Sequence, residues 1–219
     1  MNTPDESKSQ DRALTVTSYG VLSILSLREH STYDLIRQMR MSLHYMWPRA
    51  ESNVYAEPKR LVDAGLAEAR EEWNGQRRRT VYSITSAGRD ALSAWLEERS
   101  SPPRFESEAL MKVLFAENGT RDDLLATIRS IGVDAEQVIR HFEVIADKYA
   151  EGNGEYPWRF GLSGLAARLL VDQAAATLRW TVWAEGVVEG WPTPLAASAD
   201  WGIEVIRQGA KEREPVPSR

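Results

Sequence analysis

Apolar side chains recur along this chain with two periods, and the switch between them marks out its elements. From about Thr17 to Leu27, Tyr19, Leu22, Ile24 and Leu25 supply one face of a helix. Ser31 then offers an N-cap, with Asp34 three residues on in a capping-box position. The helix it opens runs to about Arg40 and turns Tyr33, Ile36 and Met39 to one side. Met41 to Pro48 reads as a loop rich in large side chains: Leu43, Tyr45, Met46 and Trp47. A third helix is expected from Ala50 to Ala64, stopped by Gly65. Its inner side carries Val54, Pro58 and Leu61; its outer side carries Ser52, Ala56 and Lys59, flanked by Asn53 and Arg60. A proline inside a helix removes a hydrogen bond and clashes with the carbonyl four residues back, so Pro58 predicts a kink near Val54 or an irregular first turn.

After Gly65 the period falls to two. Leu66–Trp73 and Arg78–Ile84 read as strands, the second placing Thr80, Tyr82 and Ile84 on one face. Asn74-Gly75 between them is a strong hairpin signal, which Gln76 and Arg77 could lengthen. Thr85 caps a fourth helix through Ala91, Leu92 and Trp95. Three helices, a hairpin and another helix are the order of a winged helix-turn-helix, in a chain that is mainly α overall.

Ser100-Ser101-Pro102-Pro103 reads as a boundary. It separates a winged helix over 13–99, preceded by a polar tail over 1–12, from a helical domain over 104–212. In the latter, Glu106–Asn118 carries Leu110, Met111, Leu114 and Phe115; Gly119 ends it, and Thr120 with Asp123 starts the next helix. That helix bears the clearest repeat in the chain. Leu124, Ile128, Ile131, Ala135, Val138, Phe142, Ile145 and Tyr149 alternate spacings of four and three. Such a stripe needs a partner helix, either the next one, about Phe160 to Gly190, or the same element of a second chain. A symmetric dimer makes Leu124, Ile128, Ile131, Val138, Phe142 and Ile145 candidate dimerisation residues. A last helix follows Pro192-Thr193-Pro194, from Leu195 to about Lys211.

Composition narrows the chemistry. The chain has 219 residues, 42% hydrophobic and 27% charged, which are globular values. It has no cysteine, hence no disulfide and no thiolate nucleophile. The first twelve residues lack the basic and apolar regions of a signal peptide, and no apolar run approaches the ~20 residues of a membrane span. A cytoplasmic location is expected. The net charge of −5 is uneven: residues 13–99 hold 12 Lys and Arg against 11 Asp and Glu, a net of +1, while residues 100–219 hold 13 against 18. A net of +1 does not by itself announce a nucleic-acid binder.

Position does more. Gln76, Arg77, Arg78 and Arg79 sit at the hairpin tip, where guanidinium groups suit phosphate oxygens; on an arbitrary hairpin they would be a solvated turn, but a helix-turn-helix precedes this one. Glu71 and Glu72 partly offset them. On the third helix, Ser52, Asn53 and Ala56 let the backbone approach base edges, Asn53 can pair with adenine and Lys59 can reach guanine or phosphate, with Arg60 a further DNA-binding candidate beside them. Tyr55 either packs on the core or offers its hydroxyl to a phosphate. A winged helix can also serve as a protein-interaction module without specific DNA binding, which is the alternative reading.

Catalysis finds no support. His30, His44 and His141 are scattered, Asp122-Asp123 suits a helix start, and there is no glycine-rich phosphate loop. No metal site and no cofactor are expected. Trp180 and Trp183 share a helix face near Gln173 and Arg179; they either fill a dimer core, the favoured reading, or line a site for a small aromatic effector.

The order Tyr33-Asp34-Leu35-Ile36, Val54-Tyr55, Lys59-Arg60-Leu61 and Gly65-Leu66 resembles the PadR-like transcriptional regulators (phenolic-acid-decarboxylase-type repressors). So does the wing from Gly75 through Arg77-Arg78-Arg79 to Thr85, closing with Ala87-Gly88. The resemblance covers about Leu14 to Leu96, with the later residues similar to the family's helical dimerisation domain by helix pattern only. It departs from the family at two positions: Pro58 stands in place of a leucine, and Ala56 in place of a proline. The resemblance implies a homodimeric repressor that binds double-stranded DNA, often released by a small aromatic ligand or by an unknown signal; the symmetry of such a dimer predicts a palindromic site.

Overall fold

The structure, a computed structural model, describes residues 13–47, 55–75, 77–103 and 105–211. It divides between Pro102 and Pro103 into two units.

The first unit is built around helix α1 (Val16–Leu25). Thr15 and Ser18 close a reciprocal capping box at its start, which satisfies amides that a helix cannot satisfy itself. Val21, Leu22, Ile24 and Leu25 are buried, so the helix is covered from more than one side. Around it pack Leu35 and Met39 of α2 (Thr32–Leu43), Leu61 of α3 (Glu57–Asp63), and Ala67. The helix α4 (Ser86–Glu97) closes the layer, with Trp95 stacked on Tyr19 at 4.7 Å and 6°. These contacts account for the apolar pattern with one shift of phase. The buried side of α2 is Leu35, Gln38 and Met39 rather than Tyr33, Ile36 and Met39. The buried polar Gln38 hides that face from a hydrophobicity reading. The helix also runs to Leu43, past the expected end, since no glycine or proline interrupts it before Pro48.

Pro58 has a simple explanation. The described part of the third helix begins at Glu57, not Ala50, which puts Pro58 within its first turn. There a missing N–H costs nothing and the fixed φ suits the helix. Pro58 is fully buried. The kink expected near Val54 falls outside the described residues.

The sheet has three antiparallel strands in the order β1 (His30–Ser31), β3 (Arg77–Ile84), β2 (Ala67–Asn74). Two residues are too few to show a period, so β1 left no mark in the sequence pattern. Because β3 lies between the other two, Val81 is buried as well as the half-buried Tyr82 and Ile84 on its other face. Asn74 pairs with Arg77, so the strands reach one residue further than expected and leave Gly75-Gln76 as the two-residue connection. Gly75 has φ +61°, the left-handed conformation that tight hairpins require. Gln76 lies outside the described residues.

Ser31 caps α2: its Oγ accepts from the Asp34 amide at 3.2 Å, while its hydroxyl donates to Asp34 Oδ2 at 2.7 Å. That hydroxyl, more than any other contact, holds the Asp34 carboxyl below its ordinary value of 3.8. A depressed carboxyl stabilises the fold above the unfolded-state pKa and loses that contribution as pH falls through the folded one. Asp34→Asn is therefore expected to lower the melting temperature slightly near neutral pH, with the gap to wild type closing below about pH 4. Thermal melts of both proteins across that range measure it.

The second unit contains α5 (Glu108–Leu114), a single 3-10 turn (Ala116–Asn118), α6 (Arg121–Ala150), a 3-10 turn (Pro157–Arg159), α7 (Phe160–Glu189) and α8 (Ala199–Lys211). The expected first and last helices are shorter than their patterns. Glu106–Asn118 becomes α5 plus the turn, and α8 starts at Ala199, where Ser198 accepts from the Trp201 amide. Helices α6 and α7 run antiparallel: Leu124, Leu125 and Ile128 pack with Ala184 and Val188, Gly132 lies against Thr181, and Tyr149 stacks on Phe160. The partner of the heptad stripe is thus α7 of the same chain. Leu124, Ile128 and Ala135 are buried, whereas Ile131, Val138, Phe142, Ile145 and Tyr149 are half-buried. Among the described residues no helix is long and apolar enough to cross a membrane.

Candidate nucleic-acid interface

A short helix and the hairpin frame the candidate surface. On α3 the core anchors are Pro58 and Leu61, both buried, which turns the opposite side outward. Tyr55 is 68% exposed, so of its two expected roles the core-packing one is not realised. Ala56 and Lys59 are exposed beside it. Ser52 and Asn53, expected to lead this face, lie outside the described residues.

Arg60 takes the other side. Its Nη2 donates to Glu57 Oε1 at 2.7 Å and to the Ser18 hydroxyl, tying α3 to the start of α1. Glu57 is buried, and a buried carboxylate needs such a partner. The sequence placed Arg60 with the outward residues; one step along a helix turns a side chain by about 100°, enough to send it inward.

The hairpin β2–β3 projects its charges at its far end. The cross-strand register sets Trp73 opposite Arg78 and Glu72 opposite Arg79. Arg79 Nη2 donates to Glu72 at 3.1 Å, and Arg78 is ion-paired with Glu71 on the same face as Trp73. Arg70 Nη2 lies 2.5 Å from both Glu29 and Glu72. The Arg77 backbone belongs to β3, but its side chain is outside the described residues. Period-two alternation puts Arg79 toward one face of the wing, with Arg78 and Trp73 toward the other.

Trp73 is the residue that sequence reasoning missed. It is 72% exposed, although its strand face carries buried Ala67 nearer the core. The hairpin outruns the helices that cover its base, so the apolar face continues into solvent. An exposed tryptophan next to arginines was the available signal. Tyr33 of α2 is exposed as well.

In the second unit, the two tryptophans singled out from sequence part company. Trp180 packs against the cluster of Leu124, Ile128 and Val188. Trp183 is 43% exposed and lies parallel to Trp201, centroids 6.4 Å apart and planes within 1°. Trp201 meets Trp191 edge-on at 5.4 Å. No cluster of three or more metal-ligating side chains occurs among the described residues.

Comparison with known proteins is consistent with this geometry. Residues 21–94 match the model of the transcriptional regulator PadR-like family. A curated relative, the negative transcriptional regulator PadR of Bacillus subtilis (strain 168), is 28% identical over 104 residues, 47% of this chain and 57% of that protein. The match therefore covers little more than half of the relative's length. Among solved structures, Bacillus subtilis PadR in complex with operator DNA superposes with a TM-score of 0.69 at 20% identity, over 81% of this chain and 99% of the other. The same protein in complex with p-coumaric acid gives 0.62 at 19%, over 80% and 99%. Through residues 21–94, folded as a winged helix, the chain is similar to the PadR-like family of transcriptional regulators.

Proposed function

We propose that the chain is a sequence-specific repressor that binds a palindromic operator as a homodimer. The observation that carries this reading is the exposed α3 face of Tyr55, Ala56 and Lys59 on the same winged helix as a hairpin bearing Arg77, Arg78 and Arg79. A helix of this kind enters the major groove while the hairpin lies against the backbone beside it. Ser52 and Asn53 extend the reading face in sequence. Arg60 supports the helix from behind, through Glu57 and Ser18, and is not among the base-reading residues. The Bacillus subtilis relative is a negative transcriptional regulator, which favours repression.

Pairing of two chains is supported by apolar side chains that the second unit leaves uncovered. Leu162, Leu165 and Leu169 on α7 are each more than half exposed, as are Met111 and Leu114 on α5 and Phe115 just after it. Contiguous exposed apolar surface of this kind marks an interface. Leu124 and Ile128 already fill their own helix pair, so they contribute to a dimer by holding α6 against α7; Ile131, Val138, Phe142 and Ile145 keep part of their surface for a partner. A small aromatic effector is assigned to the exposed ring of Trp183 beside Trp201, in line with the p-coumaric acid complex of the Bacillus protein. The reading gives the chain no catalytic role.

The test is titration of a labelled duplex from the DNA flanking the chain's own gene. Wild type binds as two chains per duplex, and Leu165→Glu with Leu169→Glu yields a folded monomer that binds at least about tenfold more weakly. Retention of a protein partner with no salt-sensitive duplex binding would overturn the proposal in favour of an interaction module.

A further inference from the structure

The wing carries its own counter-ions. Each arginine whose side chain is described faces a carboxylate: Arg78 faces Glu71, Arg79 faces Glu72, and Arg70 lies between Glu29 and Glu72. Among the described side chains of this surface, three guanidinium groups meet three carboxylates, which offset one another at the place where a phosphate backbone would lie. From this we infer that Glu71 and Glu72 are specificity determinants, intramolecular stand-ins for phosphate that suppress binding to unrelated sequences. The inference rests on the DNA-binding reading proposed above.

The physical difference lies between a loose and a close complex. A protein held loosely on arbitrary DNA is retained by the field of its positive charges and by counterion release, and an internally neutralised wing supplies little of either. A close complex, fixed in register by base contacts from α3, brings phosphates within reach of the guanidinium groups. Each arginine can then leave its carboxylate for a phosphate oxygen, with the carboxylate rotating into water. Exposed ion pairs contribute little to stability, so the exchange is easy once the duplex is close and unprofitable while it is distant. The register makes the screen local: Glu72 sits directly across from Arg79, and Glu71 diagonally from Arg78, both on the strand that carries no phosphate-seeking residues at the tip.

The full-length chain would be titrated against a duplex selected for binding and against a random-sequence duplex, over a range of salt, as wild type and as Glu71→Gln with Glu72→Gln. Glu68→Gln, at the opposite end of the same strand, serves as a charge-change control. The double variant is expected to bind random duplex about tenfold more tightly at low salt, with a steeper salt dependence. Its preference for the selected duplex should fall severalfold, whereas Glu68→Gln moves these values little. Unchanged random-duplex affinity in the double variant, with wild type still binding the selected duplex, would overturn the inference alone. An equal gain from Glu68→Gln would also overturn it, since net charge and not the wing pairing would then be responsible. Failure of wild type to bind any duplex would instead overturn the DNA-binding reading beneath it.

Discussion

Gly88→Ala is expected to destabilise the winged helix strongly for a change of one methyl group. A β-carbon at this position would lie 2.1 Å from the Leu66 carbonyl oxygen and 2.8 Å from Ile84 Cγ1. Neither can step aside cheaply. The Leu66 carbonyl accepts from the Thr85 amide at 3.2 Å, and Thr85 is the residue whose hydroxyl oxygen caps α4 by accepting from the Gly88 amide at 3.0 Å. Making room means lifting the first turn of α4 away from the entry to β2, which also strains the stack of Trp95 on Tyr19. Forced overpacking costs roughly 1–3 kcal/mol or more, against a domain stability of about 5–15 kcal/mol. A melting temperature lower by about 10 °C or more follows for a domain of this size. Gly186→Ala provides the contrast: a glycine within α7 whose added methyl meets nothing within 4 Å should be neutral or stabilising. Circular dichroism melts of both decide it, and a Gly88→Ala midpoint equal to wild type would show that α4 does not dock as described.

The second large effect concerns the wing. Arg77→Ala with Arg78→Ala should weaken duplex binding by roughly tenfold to a hundredfold near physiological salt and reduce the slope of log affinity against log salt by up to about two. Release of Glu71 from its pair with Arg78 adds a repulsive carboxylate, which pushes the loss toward the upper end. The folded domain should be unaffected, since Arg78 is exposed and none of the buried core residues is a wing arginine. Affinity and slope measured by fluorescence anisotropy test this, and an unchanged slope would remove the wing from the interface.

Much of this architecture was written in the sequence because it rests on local rules. The Gly75 turn, the caps at Thr85 and Thr120, and the stripe from Leu124 to Tyr149 each depend on residues close together in the chain. What the pattern could not show depends on tertiary contact. Strand β1 is two residues long and exists only by pairing with Tyr82 and Val81. The inward turn of Arg60 follows from Glu57 being buried, and the burial of Gln38 rotated the reading of α2 by a residue. Likewise, the heptad period announced a partner for α6 without saying which; the structure answers with α7. On the wing, residue type pointed to the arginines, but only the fold sets Arg78 and Arg79 against Glu71 and Glu72 and leaves Trp73 beside them in solvent.

Selection of bound fragments from sheared genomic DNA, without prior choice of sequence, is the most direct test of operator recognition by a dimer. The expected result is enrichment of one inverted repeat whose half-sites are about 10 base pairs apart, or a multiple of that, centre to centre. Recovery of fragments with no shared motif, or of none above background, would contradict it.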